Sequence, residues 1–124
     1  MIEDGDLAGE LFQVPDRWWG FEANGRENHP GACVGYDQRG FRVTLLKGTD
    51  PRSARYRETH VIVDPDQSNQ LLKRTAFAIK PVIESARKVS QLRGKRLIGT
   101  LAKLHLNEMR QELIRLFGDG NKHG

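Results

Sequence analysis

Apolar residues in the first half of the chain fall in short runs: LFQV (11–14), ACVGY (32–36), FRVTLL (41–46) and THVIV (59–63). Runs of this length, rich in Val, Ile, Phe, Tyr and Thr and bounded by turn formers, predict strands. The second and third flank Asp37-Gln38-Arg39-Gly40, a hairpin signal in which Gly40 can take positive φ. THVIV, after the basic segment KGTDPRSARYRE (47–58), reads as a third hairpin-connected strand before the turn DPDQSN (64–69). TAFAIKPVIESARKVSQL (75–92) mixes β-branched and polar residues around Pro81, which suits an edge strand or two strands with a break. The period then changes. Leu106, Met109, Leu113, Leu116 and Phe117 share one face at helical spacing, with Asn107 as N-cap, Glu108 in the first turn and Gly118 as the stop.

Five or six short strands and one amphipathic helix predict a mainly β fold of the α+β kind, a small twisted sheet or partly open barrel closed by a C-terminal helix. No repeat, low-complexity block or Pro/Gly/Ser linker divides the chain, so residues 1–118 read as one domain and 119–124 as a flexible tail. DRWWGFEANGRENHP (16–30) has few periodic apolar positions, and Gly20, Gly25 and Pro30 mark it as a long mobile loop. A polar loop gains little from the adjacent Trp18 and Trp19. They either stack on unpaired bases, anchor an apolar segment of a partner protein, or fold back onto the core.

Composition adds a constraint on partners. Hydrophobic residues make up 37% of the 124 and mean hydropathy is −0.62, polar for a lone domain, so further surface is expected to be hidden by self-association. No apolar run approaches the ~20 residues of a bilayer span, and acids rather than a basic and greasy leader follow Met1, which predicts a cytoplasmic protein with no membrane contact. The single Cys33 sits in an apolar strand and reads as a packing thiol, and no Cys or His pair has zinc-ligand spacing. The net charge of +4 hides an asymmetry: residues 1–16 carry only acids, whereas residues 39–103 carry fifteen Lys and Arg against five Asp and Glu. A stretch that basic is either a solvated face or a surface for a polyanion.

Several segments have a familiar order. GDLAGELFQV (5–14) places Gly-Asp before a strand, and GRENHPGACVGY (25–36) leads through a residue before Pro into an apolar strand. LLKGTD (45–50) ends a strand in Thr49 and is followed by THVIVD (59–64), while IESARKVSQLRGKRLIGTL (83–101) carries an Arg motif and an Ile-Gly-x-Leu lead-in to the last helix. Over roughly residues 6–118 the chain resembles the MazF/PemK family of toxin endoribonucleases, which share a fold with the gyrase poison CcdB. The resemblance implies an SH3-like twisted β-barrel of five to seven strands and a homodimer restrained by a cognate acidic antitoxin. It also implies sequence-specific cleavage of single-stranded RNA with neither metal nor cofactor. The alternative within the same fold is an interaction module without catalysis that binds protein or nucleic acid.

Metal-free RNA cleavage needs a base for the attacking 2′-hydroxyl, an acid for the leaving oxygen and cations for the phosphoryl charge. The resemblance puts Thr49 at the family's hydroxyl position, on the scissile phosphate; by itself it is equally a turn residue bonding its own backbone. The family's Arg before Pro is replaced by His29, with Arg26 three residues earlier. His29 then acts as general base or acid and Arg26 neutralises phosphate, or His29 is a plain loop residue. Arg87 matches the later Arg and would contact RNA, or is a surface charge on an edge strand. Lys47, Arg52 and Arg55, with Arg57, surround Thr49 and would form the electrostatic track for the strand.

Overall fold

The computed structural model describes residues 7–20, 28–37, 39, 41–52 and 60–118. Seven strands appear among them: β1 Glu10–Pro15, β2 Asn28–Asp37, β3 Arg42–Thr49, β4 His60–Val63, β5 Thr75–Ala78, β6 Val82–Ser85 and β7 Leu97–Thr100. Two helices join them, the short α1 (Ala86–Ser90) and α2 (Lys103–Phe117). All pairings are antiparallel and make one curled sheet in the order β4-β5-β3-β2-β1-β7, a half-barrel with α2 packed on it. The twisted, partly open barrel with a C-terminal helix is therefore present.

The centre of the sheet is buried on both faces. Leu11, Ala32, Val34, Leu46 and Phe77 face one cluster, which Met109, Leu106 and Leu113 of α2 cover; Phe12, Val14, Cys33, Val43 and Leu45 face another, closed by Ala86 and Val89 of α1. Two buried faces explain why β1 to β3 read as near-continuous apolar runs rather than clean alternation. Cys33 is fully buried, as a packing thiol should be, and burial pushes its thiol well above the ordinary range.

β3 is the hinge of the architecture. Its first half, Arg42 to Leu45, pairs with β6, and its end, Gly48 and Thr49, pairs with β5. Pro81 falls in the gap between β5 and β6, so the break expected there lets one edge of β3 serve two strands. β4 pairs with β5, not with β3, which corrects the reading of THVIV as a hairpin-connected third strand.

Three further expectations change. Residues 86–90 are helical because Ser85 Oγ caps the backbone N–H of Lys88 at 3.0 Å and Ala86 and Val89, one turn apart, are buried; Arg87 is consequently on a helix and not on an edge strand. The long loop is shorter than expected: Asp16–Trp19 form a 3-10 turn closed by Gly20 at φ 86°, and Asn28 to Pro30 already belong to β2. α2 begins a turn earlier than Asn107, at Lys103 after Ala102, and only Leu106, Met109 and Leu113 of the predicted stripe pack on the core. Leu116 and Phe117 are exposed in the final turn. Gly40 and the tail 119–124 lie outside the described residues; beside Gly40, Phe41 carries the positive φ, 50°.

Candidate active site

The start of β2 and the end of β3 meet at one end of the sheet. The β2–β3 pairing ends with Gly31 opposite Lys47, and His29 and Thr49 each lie two residues beyond that pair on their own strands. Both line a cavity of about 460 Å³, within the usual range for a ligand site, whose other polar contributors include Gln13, Asn28, Asp50 and Lys73. The hydrophobic pattern therefore carries two candidate residues from opposite strand ends to one place.

His29 is positioned from below. Asp16, in the 3-10 turn after β1, is buried at 3% exposure, and its Oδ1 lies 2.5 Å from His29 Nδ1. A buried carboxylate requires a donor, and the imidazole Nδ1–H supplies it, which orients the ring with Nε2 as its second nitrogen. The turn that bears Asp16 is fixed by Trp19, whose ring lies over Gly31: a Cβ on Gly31 would stand 3.2 Å from that ring and 2.6 Å from Val14 Cγ2. Glycine here lets the indole and the β2 backbone approach.

The opposite wall is a loop. Asn69, fully buried, donates from Nδ2 to the Asp64 carbonyl at 2.9 Å and accepts on Oδ1 from the Asp66 and Leu71 N–H groups. Asp66 in turn accepts from the Ser68 and Asn69 N–H groups. Hydrogen bonds from Asn69 and Ser68 hold the Asp66 carboxyl below the usual carboxylate range. Gly99 of β7 permits this packing, because a Cβ there would come within 2.5 Å of the Ser68 and Asn69 carbonyl oxygens. The loop so held presents Gln70, Leu71, Leu72 and Lys73 to the cavity.

Cations surround the site unequally. Lys73 Nζ is 3.3 Å from Asp50 Oδ2, and Arg52 reaches the same carboxylate at 3.0 Å. Hydrogen bonds from Arg52, then Lys73, hold Asp50 well below its ordinary pKa. Arg52 is therefore tied to Asp50 on the outer rim. Lys47, half-buried, has its pKa lowered by burial against the opposing pull of Asp16.

Of the candidates, His29 and Thr49 line the same cavity, whereas Lys47, two residues before Thr49 on β3, is not among its lining residues. Arg87 is exposed on α1 and does not line the cavity. Trp18 and Trp19, both half-buried, pack against the core beside Phe12 and Val14, and the buried Trp19 Nε1 has no hydrogen-bond partner among the described residues. Arg26, Arg55 and Arg57 lie outside the described residues. Asp16 and Lys73 were not singled out by sequence. An acid wedged between Val14-Pro15 and Trp18-Trp19 is a signal for the first, since only a buried, partnered carboxylate fits there; nothing local marks Lys73.

No protein-family model, curated protein or solved structure matches this chain.

Proposed function

We propose that this chain is a toxin-like, metal-independent endoribonuclease that cleaves single-stranded RNA. In this reading it acts in the cytoplasm as a homodimer and is restrained by an acidic antitoxin segment. The observation that carries the reading is the cavity shared by Thr49 and an imidazole oriented by a buried carboxylate.

His29 Nε2 takes the proton of the 2′-hydroxyl, and O2′ attacks phosphorus. The P–O5′ bond breaks to leave a 2′,3′-cyclic phosphate, and the 5′-oxygen departs with a proton from solvent or a cavity cation. Thr49 donates a hydrogen bond to a non-bridging oxygen, while Lys73 offsets the phosphoryl charge. The base occupies the position before Pro where the resembled family carries Arg, so the division of labour differs from that family's.

The experiment is incubation with a long single-stranded RNA in excess EDTA, mapping cuts and end chemistry. Cuts leaving cyclic phosphate and 5′-hydroxyl ends, lost in His29→Gln and reduced about 10²- to 10³-fold in Thr49→Ala, are expected. Intact RNA would sink the reading. A non-catalytic interaction module of the same fold is the second reading, favoured by the position of Arg87 on α1, away from the cavity lining. It predicts RNA or protein binding that is indifferent to His29.

A further inference from the structure

A second cavity, of about 500 Å³, is lined by Pro15, Arg17, Trp18, Glu84, Lys88 and Arg96 among others. It adjoins the first. Pro15, which lines the second cavity, pairs across the strands with Asn28, which lines the first. Arg96 bridges them: its guanidinium donates to Asn28 Oδ1 at 2.9 Å, and its carbonyl accepts from the Gln13 N–H at 2.8 Å.

Three cations, Arg17, Lys88 and Arg96, face a single carboxylate, Glu84, around an indole. Glu84 is engaged by Lys88 at 3.0 Å, and the Lys88 ammonium stands 4.3 Å from the Trp18 ring centroid. An aromatic platform ringed by cations is what a nucleotide needs, a face for the base and positive charge for its phosphate. A carboxylate-rich peptide would use the cations but not the ring.

We propose that this second cavity is a subsite for the nucleotide next to the one held in the first cavity, its base stacked on Trp18 and its phosphate held by Arg17 and Arg96. The proposal rests on the reading of the first cavity as the RNA site. Lys88 is a placeholder on the ring. An exposed cation–π contact is worth only about 2- to 5-fold in an equilibrium, whereas base stacking is worth about 5- to 150-fold. The base therefore displaces the ammonium, whose flexible stem lets it turn to the phosphate.

The test is equilibrium titration of the full chain with a mixed-sequence 2′-O-methyl RNA, which cannot be cleaved, reading tryptophan fluorescence and the affinity of a fluorescein-labelled copy. Quenching is expected in the wild type and lost in Trp18→Leu, where only Trp19, which does not line this cavity, remains, with affinity falling about 5- to 150-fold. Arg17→Gln, an exposed change that leaves packing untouched, should weaken binding and lower the salt slope by about 0.7. Unchanged affinity and slope in both variants would overturn the subsite while leaving RNA binding by the first cavity intact. No binding by the wild type would overturn subsite and nuclease reading together. Binding lost in Trp18→Leu without any cleavage by the wild type would support the subsite and sink the nuclease reading alone. Equal quenching by polyglutamate would also overturn it, since a base platform does not answer to carboxylates.

Discussion

Asp16 is the residue on which the candidate chemistry turns. Its buried carboxylate bonds to His29 Nδ1 and holds the ring in one orientation. Asp16→Asn keeps the shape but offers no negative charge and can turn its NH₂ toward Nδ1. The expected result is a kcat for RNA cleavage lower by about 10²- to 10⁴-fold with KM little changed, and single-turnover kinetics on a defined oligonucleotide check it. A loss confined to KM would mean that Asp16 shapes binding only. Lys47 gives a second residue-scale prediction. Burial lowers its pKa, so the folded chain releases this proton first, and between the folded value and the ordinary 10.5 the unfolded state holds more protons. Stability from this group therefore rises with pH toward 10.5, and Lys47→Met should flatten that rise in urea midpoints measured across the alkaline range. Thr49 and His29 were singled out through the resemblance, the one at the family's hydroxyl position and the other before Pro30, and both line the first cavity. The hydrogen bond between residues 16 and 29 was not legible, because it depends on how the intervening turn folds back.

At the scale of elements, the strands were legible from β-branched runs, but their partners were not. Pairing β5 rather than β4 with the end of β3 is decided by Pro81 and by the two-sided use of β3, which no local pattern records. The stretch 86–90 misled because Ser85, a helix cap, lies within a strand-like composition. The loop 64–73 is the element most open to test. Gly99→Ala forces a Cβ against two backbone carbonyls, so a loss of about 1–3 kcal/mol in chemical denaturation is expected, with cleavage falling as the Lys73 wall shifts. Asp66→Asn tests the same element by pH. The Asp66 pKa is depressed in the folded state, so its stabilisation is complete above the ordinary carboxylate range and disappears as pH falls through the folded value. Wild type and Asp66→Asn should therefore differ at pH 7 and converge in acid; a constant difference would place the effect in the hydrogen bonds of the neutral side chain.

For the whole molecule, the relevant quantities are charge and uncovered apolar surface. No helix of the described residues is long and apolar enough to cross a membrane, yet α2 leaves Leu104 72%, Ile114 57% and Phe117 58% exposed. Burying an apolar side chain of this size is worth about 1.5–3 kcal/mol, so a partner covering all three gains a substantial part of a micromolar affinity. Under the proposed homodimer, these side chains belong to the contact between copies. Ile114→Asp would then place a charge in an apolar interface without touching the core, which α2 meets through Leu106, Met109 and Leu113. Sedimentation should show the wild type as a dimer at micromolar concentration and Ile114→Asp as a folded monomer with unchanged far-ultraviolet circular dichroism. If the variant stays dimeric, α2 is not the contact. The exposed side chains would then be available to the proposed antitoxin, whose acidic segment would be drawn to the basic residues of 39–103 and whose apolar residues would need such a face.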